Sequence, residues 1–78
     1  MITGTQIRMA RAALGWSVHV LAEKAGVTAN TVSRIERGGE SLSATLDNLQ
    51  TTLERGGVIF LPADQNIDGG AGVRLRKL

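Results

Sequence analysis

Apolar residues recur at helical spacing in four successive stretches of the chain, and each stretch is bracketed by residues that start or stop a helix. Thr3, with Gln6 three positions on, makes a capping box, and Ile7, Ala10 and Leu14 then repeat on one face as far as Gly15. This predicts a first helix over residues 4–14. Ser17 is a good N-cap for a second, two-turn helix whose inner face is Val18, Leu21, Ala22 and Ala25, with Gly26 placed to end it in a left-handed conformation. Thr28 caps a third, in which Val32 and Ile35 point inward and Gly38-Gly39 stops the run. Ser43 is expected to cap a fourth, ATLDNLQTTLER, with Leu46, Leu49 and Leu53 on one stripe and Gly56-Gly57 at its end.

After Gly57 the periodicity changes. VIFL at 58–61 is β-branched and aromatic, and VRLRKL at 73–78 alternates apolar with basic residues, so both read as strands. ADQNIDGGAG between them is a polar, glycine-rich loop. An isolated two-stranded hairpin is marginal in water, so this element must pack on the helices or pair with a second copy of itself. The expected organisation is a helical unit over residues 1–56 and a C-terminal β segment over 57–78, the latter a candidate dimerisation element through Val58, Ile59, Phe60, Leu61, Val73 and Leu75.

Composition narrows the class. Seventy-eight residues suffice for one small domain. With 42% hydrophobic residues but only Trp16 and Phe60 as aromatics, the core must be aliphatic. No cysteine is present, which removes disulfides and thiolate metal sites and is compatible with a reducing interior. No apolar run is long enough to span a bilayer, and MITGTQIRMARAALG lacks the apolar segment of a secretion signal, so a cytoplasmic protein without membrane contact is expected. The formal charge of +2 conceals a segregation. Residues 1–39 carry Arg8, Arg11, Lys24, Arg34 and Arg37 against Glu23 and Glu36; residues 40–68 carry Glu40, Asp47, Glu54, Asp64 and Asp68 against Arg55 alone; Arg74, Arg76 and Lys77 close the chain. A basic N-terminal half suits a polyanion, although an ordinary solvated surface has a similar balance.

The third helix has a polar face that the fold does not need. With Val32 and Ile35 turned to the core, Asn30, Ser33, Arg34 and Arg37 project from the opposite side, Ala29 and Thr31 lie on the flanks, and Glu36 falls near the inner edge. Asn can bond an adenine edge bidentately, Arg a guanine edge or a phosphate, and Ser either. A two-turn helix, a glycine turn and then a helix with that outer face meet the requirements of a helix-turn-helix.

These stretches resemble the Cro/C1-type helix-turn-helix family, also called the XRE family, of phage repressors and related bacterial regulators. The pattern is carried by LGWS at 14–17, LAEKAGV at 21–27, Thr28, Val32, Ile35 and Glu36-Arg37-Gly38. It spans residues 5–55, and the GVIFLP segment and GVRLRK tail extend it weakly toward the end. The resemblance implies a mainly α, lambda-repressor-like bundle of four helices, here with a short C-terminal β-hairpin. It implies that the third helix enters the major groove of double-stranded DNA, with Ala29, Asn30 and Ser33 reading bases and Arg34 close by. Phosphate contacts would come from Ser17, His19, Thr28, Thr31 and Arg37, and Arg11 with Glu36 would form an internal ion pair. One departure stands out: family members often begin the second helix with a glutamine that bonds a phosphate, whereas this chain has Val18. Anchoring there must come from Ser17, His19 or a backbone N–H of the helix start.

Simpler roles compete at several positions. The outer face of the third helix could be solvated surface, Trp16 a hydrophobic staple or packing residue, and Arg74, Arg76 and Lys77 a solvated strand face. His19 is the only histidine, so no metal site is expected. Nothing supplies a nucleophile with its base, and the glycines of GGAG lie between two strands rather than between a strand and a helix; no enzyme, cofactor or small-molecule ligand is expected. One helix reads too few base pairs to be selective, so the sequence reads as a transcriptional regulator binding an inverted-repeat operator as a homodimer. Two alternatives stay open: an antitoxin-like module whose C-terminal segment holds a protein partner, and a DNA-binding accessory of a mobile element.

Overall fold

The computed structural model describes residues 1–64 and 68–77. Its elements run α1 (Gly4–Leu14), α2 (Val18–Ala25), α3 (Ala29–Glu36), α4 (Ser43–Gly56), β1 (Val58–Leu61) and β2 (Gly72–Leu75). The fold is mainly helical, with one two-stranded antiparallel sheet.

Local chemistry sets most boundaries. At the start of α1, Thr3 Oγ1 accepts from the Gln6 N–H at 3.1 Å while Gln6 Oε1 accepts from the Thr3 N–H at 3.0 Å, a complete capping box. Ser17 and Thr28 accept from Val20 N–H and Thr31 N–H, each at 3.1 Å, and so start α2 and α3. Gly15 and Gly26 end α1 and α2 at φ 70° and 72°, a region that costs a residue with a Cβ of order 1 kcal/mol or more.

The fourth helix departs from expectation at its start. Leu42, not Ser43, is the N-cap, with an extended backbone and no side-chain cap bond, and Ser43 is the first helical residue. A serine caps with its side chain only while its own backbone is still extended. Here the Leu42 carbonyl already receives Thr45 N–H and Leu46 N–H at 3.0 and 3.2 Å, so the chain turns helical one residue before Ser43 could act. The second strand is also shorter than 73–78, ending at Leu75; Leu78 lies outside the described residues.

One aliphatic core joins all of these elements. Ile7, Ala10, Leu21, Val32, Leu49 and Leu53 are wholly buried and Ile35 nearly so, with Ile2 and Ala22 beside them. Val58 of β1 is in the same cluster, and Phe60 and Val73 pack against it, so the hairpin closes one side of the helical core. Trp16 lies against Gly56 at the end of α4, where a Cβ would fall 2.7 Å from the indole ring, and Lys24 Nζ sits 5.1 Å from the ring centroid.

Candidate nucleic-acid interface

The second and third helices meet through the Gly26-Val27-Thr28 turn. Gly26 N–H bonds back to the end of α2, and Val27 N–H donates to the Ala22 carbonyl at 3.0 Å, so the turn is closed by main-chain bonds. From the far side, Asn48 of α4 donates Nδ2–H to the Ala25 carbonyl at 2.7 Å and satisfies an exposed C-terminal acceptor of α2. Asn48 was not legible as a site residue, because its partner lies 23 positions away.

Val32 and Ile35 anchor α3, and the burial of Ala22 opposite gives the two helices close approach. Asn30 and Arg37 stand exposed on the outer side, and Ser33 is half-buried there. Among the described residues the side chains of Asn30, Ser33 and Arg37 make no hydrogen bond, so their donors and acceptors are available to a ligand. Ala29 is half-buried at the first turn and packs against the core edge. The hydroxyls of Thr28 and Thr31 lie 2.9 Å apart and share one hydrogen bond at the mouth of the helix. Arg34 is exposed, but its Nη1 donates to the Glu40 carbonyl in the following loop at 2.6 Å, and Gly39 sits directly over its Cγ. That bond directs the guanidinium toward the α3–α4 loop. Ser17 and His19 are exposed at the start of α2, and Val18 is turned to the core.

Behind this face, Glu36 is buried and receives a two-pronged bond from Arg11: Nε to Oε2 at 2.8 Å and Nη2 to Oε1 at 3.0 Å. Arg11 also donates Nη1–H to the Trp16 carbonyl at 3.0 Å, so one guanidinium ties α1, the α1–α2 turn and the end of α3 together. The Glu36 hydrogen bond raises the Arg11 pKa above its usual value, burial opposes this, and Coulomb attraction to Glu36 adds to the rise. Arg8 approaches the same carboxylate at 3.6 Å from a more exposed position. Gly4 packs so closely on the backbone of Ile35 and Glu36 that any Cβ there would collide with it. α3 is thus held from behind at both ends of α1.

Gln6 has a second role that the sequence did not disclose. Its Nε2 donates to the carbonyls of Leu61 and Gly72, at 3.1 and 3.0 Å, one on each strand, so the residue that caps α1 also fastens the hairpin. It is 3% exposed, and all of its hydrogen-bonding groups are engaged. Of the strand residues, Val58 is buried within its own chain, Phe60, Leu61 and Val73 are half-buried, and Ile59 and Leu75 remain exposed.

No group of three or more metal-ligating side chains occurs among the described residues, and no helix there is long and apolar enough to cross a membrane. Two short helices about a glycine turn, the second braced from behind and exposing an amide and a guanidinium, form the reading unit of a DNA-binding helix-turn-helix regulator. A family model described as helix-turn-helix matches residues 7–51, more than half of the chain, and the protein belongs to that family, the Cro/C1-type or XRE helix-turn-helix proteins. It is a family of DNA-binding regulators and not typically one of enzymes. No curated protein matches the chain.

Proposed function

We propose that the protein is a sequence-specific transcriptional regulator that binds an inverted-repeat operator as a homodimer. The observation that carries this reading is the outer face of α3, where the side chains of Asn30 and Ser33 make no hydrogen bond among the described residues while the opposite face is locked to α1. Polar groups free to bond on a rigidly held helix suit base readout, because folding has already fixed the backbone that presents them and only their side-chain rotamers are ordered on binding. In this reading Ala29, Asn30 and Ser33 face base edges, and Arg34 reaches a base or phosphate at the edge of the site. Arg37, Thr28 and Thr31 meet phosphates along one strand, and Ser17 and His19 meet them at the start of α2. Two copies are needed because one helix covers too few base pairs, and half-sites about one helical turn, ~34 Å, apart are expected. Of the strand residues, Ile59, Phe60, Leu61, Val73 and Leu75 form the contact between copies, and Val58, buried in its own chain, supports them from the core.

Selection from a random double-stranded DNA pool at near-physiological salt tests the proposal. Enrichment of an inverted repeat with that spacing supports it; a pool that stays unenriched, with only salt-sensitive retention, overturns sequence-specific reading.

A further inference from the structure

Arg11 and Arg34 are held alike, each giving an Nη1–H to a main-chain carbonyl, but only Arg11 has its other edge filled. Arg11 bonds the Trp16 carbonyl through Nη1 at 3.0 Å, which leaves Nε–H and Nη2–H to close on the two oxygens of Glu36 at 2.8 and 3.0 Å. Arg34 bonds the Glu40 carbonyl through Nη1 at 2.6 Å. Among the described residues its Nε–H and Nη2–H make no hydrogen bond, and no carboxylate pairs with it. A guanidinium carries its five N–H groups in one rigid plane, so a bond at Nη1 also limits where the Nε/Nη2 edge can point. Arg34 is a fork fixed at one end with both prongs empty.

The loop after α3 is shaped to hold it. Gly38 takes φ 90° and donates its N–H to the Ile35 carbonyl at 3.0 Å, and Gly39 N–H donates to the Arg34 carbonyl at 2.9 Å, so the chain turns back over the end of α3. Gly39 itself has no positive φ. What calls for glycine there is space, because a Cβ would fall 2.7 Å from Arg34 Cγ and 2.8 Å from the Arg34 carbonyl oxygen. The missing side chain lets the Arg34 stem lie against the turn, and the next carbonyl, that of Glu40, then comes within reach of Nη1.

Two N–H donors on one edge call for two acceptors side by side, as Glu36 supplies to Arg11. On double-stranded DNA the O6 and N7 atoms of guanine offer that pair in the major groove, and a phosphate offers it on the backbone. Position on α3 favours the base. Arg34 follows Asn30 by four residues, one turn later on the same outer face and about 6 Å along the axis, so its fork continues the row that Asn30 begins.

We infer that the Gly38-Gly39 loop is a positioning element for base preference: the Glu40 carbonyl holds Arg34 by Nη1 so that the Nε/Nη2 edge meets O6 and N7 of a guanine, and Gly39, outside α3, sets whether it does. This rests on the sequence-specific reading above and names one base of each half-site.

Two measurements on the whole chain test it, the first without DNA. In NMR of the free, nitrogen-labelled protein the two Nη signals of Arg34 should be separate, as those of Arg11 should, because each guanidinium is fixed at Nη1. Gly39→Ala should merge the Arg34 pair and leave the Arg11 pair separate, which also shows that the variant folds. A merged Arg34 pair in the parent chain overturns the brace. In the second measurement the base pairs of the selected operator are exchanged one at a time. The parent should prefer G·C at one position of each half-site by about tenfold or more. Arg34→Lys, which keeps the charge without the fork, should lose that preference and retain the salt dependence, and Gly39→Ala should weaken the preference at the same position about threefold. Losses that are equal at every position in both variants assign the fork to phosphate and overturn the guanine contact. A preference lost in Arg34→Lys but intact in Gly39→Ala overturns the role of the loop. A pool that yields no operator while the Arg34 signals stay separate overturns the sequence-specific reading itself, and the inference with it, leaving the bond as a clamp on the loop.

Discussion

Arg11 on the first helix and Glu36 at the end of the third form a forked ion pair, 2.8 and 3.0 Å, whose carboxylate is 5% exposed. The pair fixes α3 to α1 behind it. Removing Arg11 leaves the buried Glu36 carboxylate facing only the exposed Arg8, 3.6 Å away, so Arg11→Ala should lower stability by about 3 kcal/mol, a fall of many degrees in the melting temperature of a domain this size. Replacing both partners by apolar residues of similar volume should cost less. An unchanged melting temperature for Arg11→Ala would show that the fork contributes nothing to holding α3.

Gln6→Ala should loosen the hairpin in particular. It deletes the donor to the Leu61 and Gly72 carbonyls and one half of the capping box, at a cost of about 1–3 kcal/mol. Amide hydrogen exchange is the informative readout. Residues 58–61 and 72–75 should exchange faster relative to α3 than in the parent chain; uniform acceleration throughout would mean that the hairpin and helices open only together.

The parts of this fold that were legible in the sequence are those set by neighbours along the chain. Thr3, Ser17 and Thr28 cap helices because the N–H groups they accept from are three residues away, and Gly15 and Gly26 mark ends because φ near +70° is a local demand. The inner-edge position of Glu36 followed from the same helical spacing. Ser43 misled because the bonds made by Leu42, a residue with no capping side chain, decide where α4 begins. The second role of Gln6 was hidden for another reason: its partners lie 55 and 66 positions away, and only the folded hairpin brings them to its amide. Asn48 is a similar case, a polar residue inside a helix whose purpose is visible only once α2 lies against it.

Asn48→Ala should act on the turn more than on the core. Loss of its bond to the Ala25 carbonyl should cost about 1 kcal/mol and raise exchange at Gly26 and Val27 before it affects the centre of α4. Equal protection of the turn in both proteins would assign the bond no part in holding α2 against α3.

Arg37 is exposed at the end of α3 and has no ion-pair partner among the described residues, a position suited to phosphate rather than to a base edge. Arg37→Ala should weaken binding to every DNA sequence alike and reduce the slope of log affinity against log salt by about one per bound copy. A change in sequence preference, with the slope retained, would move Arg37 from the backbone to the bases.

The central claim is that Asn30 and Ser33 read bases, and titrating the parent protein and an Asn30→Ala, Ser33→Ala variant against the selected operator and a scrambled duplex, at one fixed salt concentration, tests it most directly. The variant should lose about 1–3 kcal/mol per lost base contact on the operator while keeping its affinity for the scrambled duplex, so that the preference collapses. Equal losses on both duplexes, or an operator preference that survives both substitutions, would contradict it.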